Sequence, residues 1–260
     1  GASSGIGASL AKQMSRKGAY VILSARRVEK LMIISEECVT DRVMILPLDV
    51  TDSEAQQNAF EAVMAKFGKI DILVLNAGQS QRNLAVETEF AVTEQIMRLN
   101  FFSFIELTKL VLPSMLENRS GQIVVMSSLA GIIGTTLGTS YSASKFALHG
   151  YFNSLRTEVF QHGIGVSLVC PGPVESEIGE KAFHSSSIAR THEKGKMPTD
   201  RCTSLIAKGI YFKIDEMWIS EQPILAITYF AQYFPFLSRQ LFKYIIGPAR
   251  ITAWKTGGQV

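Results

Sequence analysis

Three cysteines and four histidines in 260 residues leave little material for a disulfide framework or a metal centre. Cys38, Cys170 and Cys202 are too far apart in the chain for either, so no metal is expected and the usage fits a reducing compartment. Charge of one sign is scarce too. The 26 Lys and Arg against 23 Asp and Glu give a formal net charge of +3, scattered along the chain, which does not imply a nucleic-acid partner. No uninterrupted run of 18 apolar residues occurs, so neither a membrane-spanning helix nor a signal peptide is expected in these residues. Apolar residues are plentiful: 47% hydrophobic against 19% charged excludes a disordered chain, and the length suits one domain.

Short apolar runs alternate with stretches of helical spacing, the pattern of an α/β fold with a parallel sheet between two layers of helices. The strand candidates are 20–24, 43–47, 70–75, 122–127, 165–170 and 217–220; their near-continuous Val, Ile and Leu suits strands covered on both faces. Helices are predicted over 6–17, 53–67, 88–117, 141–161 and 201–213. Residues 180–200, rich in Ser, Lys, His and Gly, read as a long surface loop. A catalytic domain of residues 1–222 is then followed by an apolar, aromatic extension of residues 223–260. Its 15-residue run from Pro223 to Leu237 is too short to span a bilayer; it suits a packing helix, a dimer surface or an interfacial membrane contact.

The chain opens on Gly1-Ala2-Ser3-Ser4-Gly5-Ile6-Gly7, leading into helical spacing at Leu10 and Met14. Such a run belongs after a strand, which is read here as missing from the chain. Glycines allow the tight turn and the close approach of a pyrophosphate to helix N-terminal amides. An NAD site needs an acidic side chain near the end of the next strand. Here, 18 residues after Gly7, stand Ala25, Arg26 and Arg27. Guanidinium groups offer a planar fork for phosphate, so NADP(H) is the cofactor expected.

Tyr141-Ser-Ala-Ser-Lys145 places a phenol and an ammonium on one helix face; composition alone gives about 0.4 chance matches to that spacing. Ser128 ends the strand at 122–127, Asn76-Ala77-Gly78 ends the one before it, and Asn100 lies in the intervening helical stretch. Strand exits of a parallel sheet are where such sites are built. These groups permit hydride transfer at a carbonyl carbon with proton exchange at its oxygen. Tyr141 exchanges the proton, Lys145 supplies the charge that makes a phenolate accessible and can hold ribose hydroxyls, and Ser128 donates to the substrate oxygen. Asn100 can hold a water that carries protons from Lys145 to solvent.

Taken together, Gly1-x3-Gly5-x-Gly7, Asn76-Ala77-Gly78, Asn100, Ser128, Tyr141-x3-Lys145 and Pro171-Gly172 resemble the short-chain dehydrogenase/reductase family over essentially the whole chain. The resemblance implies a Rossmann-type, doubly wound, three-layer single domain and a catalytic tetrad of Asn100, Ser128, Tyr141 and Lys145. It places Gly1, Ser3, Ser4, Gly5, Ile6, Gly7, Arg26, Arg27, Asn76, Tyr141 and Lys145 around the cofactor. Asp49 and Val50 would meet the adenine, and Pro171, Val174 and Ser176 the nicotinamide end. Residues 177–200 correspond to a variable substrate lid. Further motifs, Leu23-Ser-Ala-Arg-Arg27, Cys170-Pro-Gly-Pro-Val174 and Trp218-Ile-Ser-Glu-Gln-Pro223, are similar to a membrane-associated branch related to steroid and retinoid reductases. That branch implies a lipophilic carbonyl or alcohol substrate and an endoplasmic reticulum membrane location through an N-terminal anchor that this chain lacks. The predicted helices at 88–117 and 141–161 suit a helix-paired homodimer. Two other readings stand beside this one: a catalytically silent dinucleotide-binding module, whose mark would be a broken tetrad, and an NAD-dependent alcohol dehydrogenase of the same fold.

Overall fold

The computed structural model describes residues 1–184 and 195–256. In chain order the regular elements are α1 (Gly5–Arg16), β1 (Val21–Ala25), α2 (Val28–Glu36), β2 (Val43–Pro47), α3 (Ser53–Phe67), β3 (Ile72–Leu75), β4 (Gln81–Arg82), α4 (Phe90–Met97), α5 (Ser103–Asn118), β5 (Gly121–Met126), α6 (Thr139–Val159), β6 (Ile164–Pro171), β7 (Phe183–His184), α7 (Thr199–Tyr211), β8 (Glu216–Ile219), α8 (Ile224–Tyr233), α9 (Pro235–Leu241) and α10 (Gly247–Thr256). All the strand pairs are parallel. The ladders run β1-β2 and, separately, β3-β5-β6-β8, with the two-residue β4-β7 pair apart from both. No ladder joins β1 to β3 among the described residues. Ile72 and Val74 of β3 are correspondingly exposed.

All six residues of β5 are buried, and they alternate between two cores. Ile123 and Val125 face Phe104, Val111 and Met115 of α5 and Leu148, Phe152 and Leu155 of α6. Val124 and Met126 face Leu10 of α1 and Cys202, Ile206 and Ile210 of α7. This period-2 division of an uninterrupted apolar run is what a central parallel strand requires. Burying each phenyl ring, Phe104 and Phe152, contributes about 1.5–3 kcal/mol.

The six main strands and four of the five predicted helices fall where the sequence pattern puts them, within a few residues. α3 matches at both ends because its ends carry local signals: Asp52 accepts from the Ala55 amide at 3.0 Å, and Gly68 takes the left-handed conformation at φ +72°. Four readings need correction. The helix predicted over 88–117 is two helices joined by a π turn, Arg98–Phe102. The loop 180–200 is shorter than expected: Phe183 and His184 pair with β4, α7 starts at Thr199, and 185–194 lie outside the described residues. Helix α2 was not predicted, because Leu31-Met-Ile-Ile34 is a solid apolar block without helical period, of which only Leu31 is fully buried. Finally, the π turn included, Phe90–Asn118 is one 29-residue helical segment containing an 18-residue window of mean hydropathy 1.3, long and apolar enough by composition to cross a membrane. An uninterrupted apolar run does not reveal it, since Asn100, Ser103, Glu106, Thr108 and Lys109 interrupt the run. Phe104, Val111 and Met115 place it as a core helix of the sheet.

Candidate active site

The site lies along the C-terminal edge of the strands, where each chain exit contributes a group. The glycine run extends alongside β1, the Ala2 amide donating to the Ser24 carbonyl at 3.0 Å. At Gly7 a Cβ would lie 2.1 Å from the Gly1 carbonyl oxygen and 2.5 Å from Asn76 Nδ2, so no larger residue fits. Asn76 Nδ2 donates to that same carbonyl at 2.8 Å and ties the turn to the exit of β3. Gly5 sits at φ +55°, 3.1 Å from Ser176 at its notional Cβ, which brings the loop after β6 onto the turn. This bare backbone cradle at the N-terminus of α1 fits a dinucleotide pyrophosphate.

The two arginines after β1 part company. Arg27 donates from Nε and Nη2 to Ser3 Oγ at 3.3 and 2.9 Å, and from Nη2 to Ser4 Oγ at 3.0 Å. Its Nη1 reaches Glu177 at 3.0 Å, and Lys30 Nζ meets the same carboxylate at 2.8 Å. Arg26, 71% exposed, points instead to Asp49, 3.6 Å away. Burial works against the Asp49 carboxylate, but bonds from the Thr51 amide and hydroxyl and the charge of Arg26 hold its pKa below the usual value. Val50, beside it, uses its carbonyl to accept from Gln56 at 2.6 Å.

At the other end, Lys145 on α6 is fully buried and donates to the Met126 carbonyl at 2.7 Å. Burial pulls its pKa down to about 8. Its ammonium lies 5.7 Å from the centre of the half-buried Tyr141 ring and 5.8 Å from that of Phe104. Ser128 accepts from the Ala130 amide at 3.1 Å and donates to Pro171 O at 3.3 Å, linking the exits of β5 and β6. Asn100 sits in the π turn, fully buried. Its Oδ1 accepts from the Gln79 amide at 2.9 Å, while Nδ2 donates to Gln79 O at 2.9 Å and Ser144 Oγ at 3.1 Å. A Cβ on Gly78 would lie 3.4 Å from Asn100 Oδ1 and 3.9 Å from Lys145 Nζ, so the exit of β3 passes between the two. Val174 is buried and bridges to Met197. Behind Lys145, Ser127 Oγ lies 3.0 Å from His149 Nε2, fastening the end of β5 to α6.

Beside the residues expected from the sequence the structure places Lys30, Gln79, Ser144 and Glu177, which the sequence reading did not include. Lys30 follows Arg27 by one helical turn, a usable signal once α2 is known; nothing local connects Glu177 to residues about 150 positions earlier.

A family model for short chain dehydrogenases matches residues 1–187. The chain belongs to that family. It is 43% identical over 247 residues to the human dehydrogenase/reductase SDR family member 7, covering 90% of this chain and 73% of that one. A metagenomic short-chain oxidoreductase solved with NADP is 28% identical, with TM-score 0.70, over 85% of this chain and 95% of its own. A short-chain dehydrogenase/reductase from Burkholderia phymatum solved with NAD, 21% identical, shares the fold at TM-score 0.81 over 91% and 92% of the two chains. The chain is therefore a family oxidoreductase with a dinucleotide-binding fold and a small-molecule substrate.

Proposed function

We propose that the protein is an NADP(H)-dependent oxidoreductase that interconverts a carbonyl and an alcohol on a lipophilic substrate of steroid, retinoid or quinone type. The observation that carries the cofactor preference is the Arg27 guanidinium bonded to Ser3 and Ser4, with Lys30 beside it, where an NAD site needs a carboxylate. Among proteins of related sequence, the metagenomic relative solved with NADP supports that preference.

Bound NADPH supplies the hydride. Tyr141 gives its phenolic proton to the carbonyl oxygen as the carbon is reduced, and Ser128 exchanges its long bond to Pro171 O for one to the same oxygen. Lys145, its ammonium 5.7 Å from the Tyr141 ring centre, lowers the cost of the phenolate left on Tyr141 and holds the ribose. Asn100, whose amide is taken up by Gln79 and Ser144, positions the β3 exit and the α6 turn carrying Lys145; its second Oδ1 lone pair is what a proton-carrying water would use. A cleft of about 460 Å3 lined by Ile132, Ile133, Phe146, Pro235 and Phe242, with Gln232 and Arg239 as its polar lining, supports a lipophilic substrate carrying a polar group.

Residues 223–260 contain four cations, Arg239, Lys243, Arg250 and Lys255, and no Asp or Glu. Tyr233, Phe236, Leu237, Tyr244 and Ile245 are exposed on these helices. That combination supports contact with an anionic bilayer, in keeping with an endoplasmic reticulum membrane location. The exposed Phe102 beside the long helices supports a homodimer.

Tyr141→Phe tests the chemistry. Turnover with a panel of steroids, retinals and quinones should fall about 100-fold or more, while NADPH affinity, read by nicotinamide fluorescence, stays unchanged. Retained turnover, or activity confined to sugars, contradicts the reading.

A further inference from the structure

One carboxylate in the site has more partners than its charge explains. Glu177, in the loop after β6, meets Arg27 Nη1 at 3.0 Å, Lys30 Nζ at 2.8 Å, Lys181 Nζ one helical turn ahead, and the Ser4 hydroxyl. These donors, Lys181 and Lys30 foremost, hold its carboxyl far below the usual range. Three cations thus surround one negative charge, leaving a surplus of two, while Arg27 also spends donors on Ser3 and Ser4. A guanidinium fork, two ammonium groups and two hydroxyls are the donor set for a group with three acceptor oxygens and nearly two negative charges, that is, a phosphate monoester.

We infer that Glu177 occupies the position of the cofactor's 2′-phosphate and must leave before a phosphorylated dinucleotide can seat, so that this one side chain sets how tightly and how selectively the site takes NADP(H). The inference rests on the NADP(H) reading. Its geometry favours exchange over shared occupancy, because Arg27 Nη1 and Lys30 Nζ each point at a Glu177 oxygen. The carboxylate also has a way out. The side chain is already 31% exposed, beside a cavity of about 560 Å3 lined by Ser4, Lys12, Ser176, Glu177 and Lys196. A non-phosphorylated dinucleotide brings nothing to displace Glu177, so the residue acts on one cofactor and not the other.

The test is calorimetric titration of the apo-protein with adenosine 2′,5′-bisphosphate and with adenosine 5′-monophosphate, on wild type, Glu177→Ala, Glu177→Gln and Arg27→Ala. Loss of one charge-assisted competitor should tighten bisphosphate binding about tenfold in Glu177→Ala, with Glu177→Gln between that and wild type. Monophosphate affinity within about twofold of wild type shows that both variants are folded. Bisphosphate binding that is unchanged or weaker in both Glu177 variants overturns the inference. If Arg27→Ala still removes the bisphosphate preference, only the inference fails. If wild type shows no such preference, the NADP(H) reading fails and the inference with it.

Discussion

At one end of the crevice Lys145 is 3% exposed and its ammonium is held by a strand carbonyl; at the other, Arg26 is 71% exposed and Arg27 shares one carboxylate with Lys30 and Lys181. The catalytic end is an extension of the hydrophobic core. Its groups ride on β5 and α6, whose inner faces carry Val125, Leu148 and Phe152, so their positions follow from packing. The proposed phosphate end is made of long side chains at the start of α2 and in the loop after β6, tied to one another by charge and hydrogen bonds. Chemistry requires fixed distances between donor and acceptor, which a packed core supplies. Cofactor choice requires only a matched charge, which exposed side chains supply and exchange readily.

If this contrast holds, damage to the core reaches catalysis and damage to the surface reaches only cofactor choice. The largest effect on rate should come from Tyr141→Phe. Next comes packing: Phe152→Ala, a fully buried ring, should cost about 3–5 kcal/mol of stability by chemical denaturation. Ile33→Ala, 57% exposed on α2 at the phosphate end, should cost no more than about 0.5 kcal/mol. Comparable losses at the two positions would erase the distinction. A smaller effect follows from Lys145, whose pKa burial pulls down to about 8. A lowered lysine loses its charge as pH rises through that value, so kcat/KM for carbonyl reduction should decline above about pH 8. A flat profile from pH 6 to 10 would show that the ammonium is not needed in the free enzyme.

The same contrast explains how much could be read from the sequence. β5 and its neighbours are legible because burial on both faces demands solid Val, Ile and Leu, and α3 because Asp52 and Gly68 mark its ends. Tyr141, Lys145 and Ser128 are legible because a local spacing and a strand end fix them. The π turn around Asn100 has no local marker: it is set by bonds to Gln79 and Ser144 that the fold brings together. Helix α2 escaped since its apolar residues are consecutive and mostly outward. Glu177 escaped for the plainest reason, being 150 residues from Arg27 and 147 from Lys30, with no sequence pattern to connect them.

The central claim is that Arg27, and not the neighbouring Arg26, makes this site one for a phosphorylated dinucleotide. The direct measurement is kcat/KM with NADPH and with NADH for Arg27→Ala and Arg26→Ala beside wild type. Losing a charge-assisted contact of about 1.5–3 kcal/mol, Arg27→Ala should lower the NADPH value by about 10- to 100-fold and leave the NADH value nearly unchanged. Arg26→Ala should change the ratio of the two by less than about threefold. A wild-type enzyme indifferent between the cofactors, or a larger loss from Arg26 than from Arg27, would contradict the account.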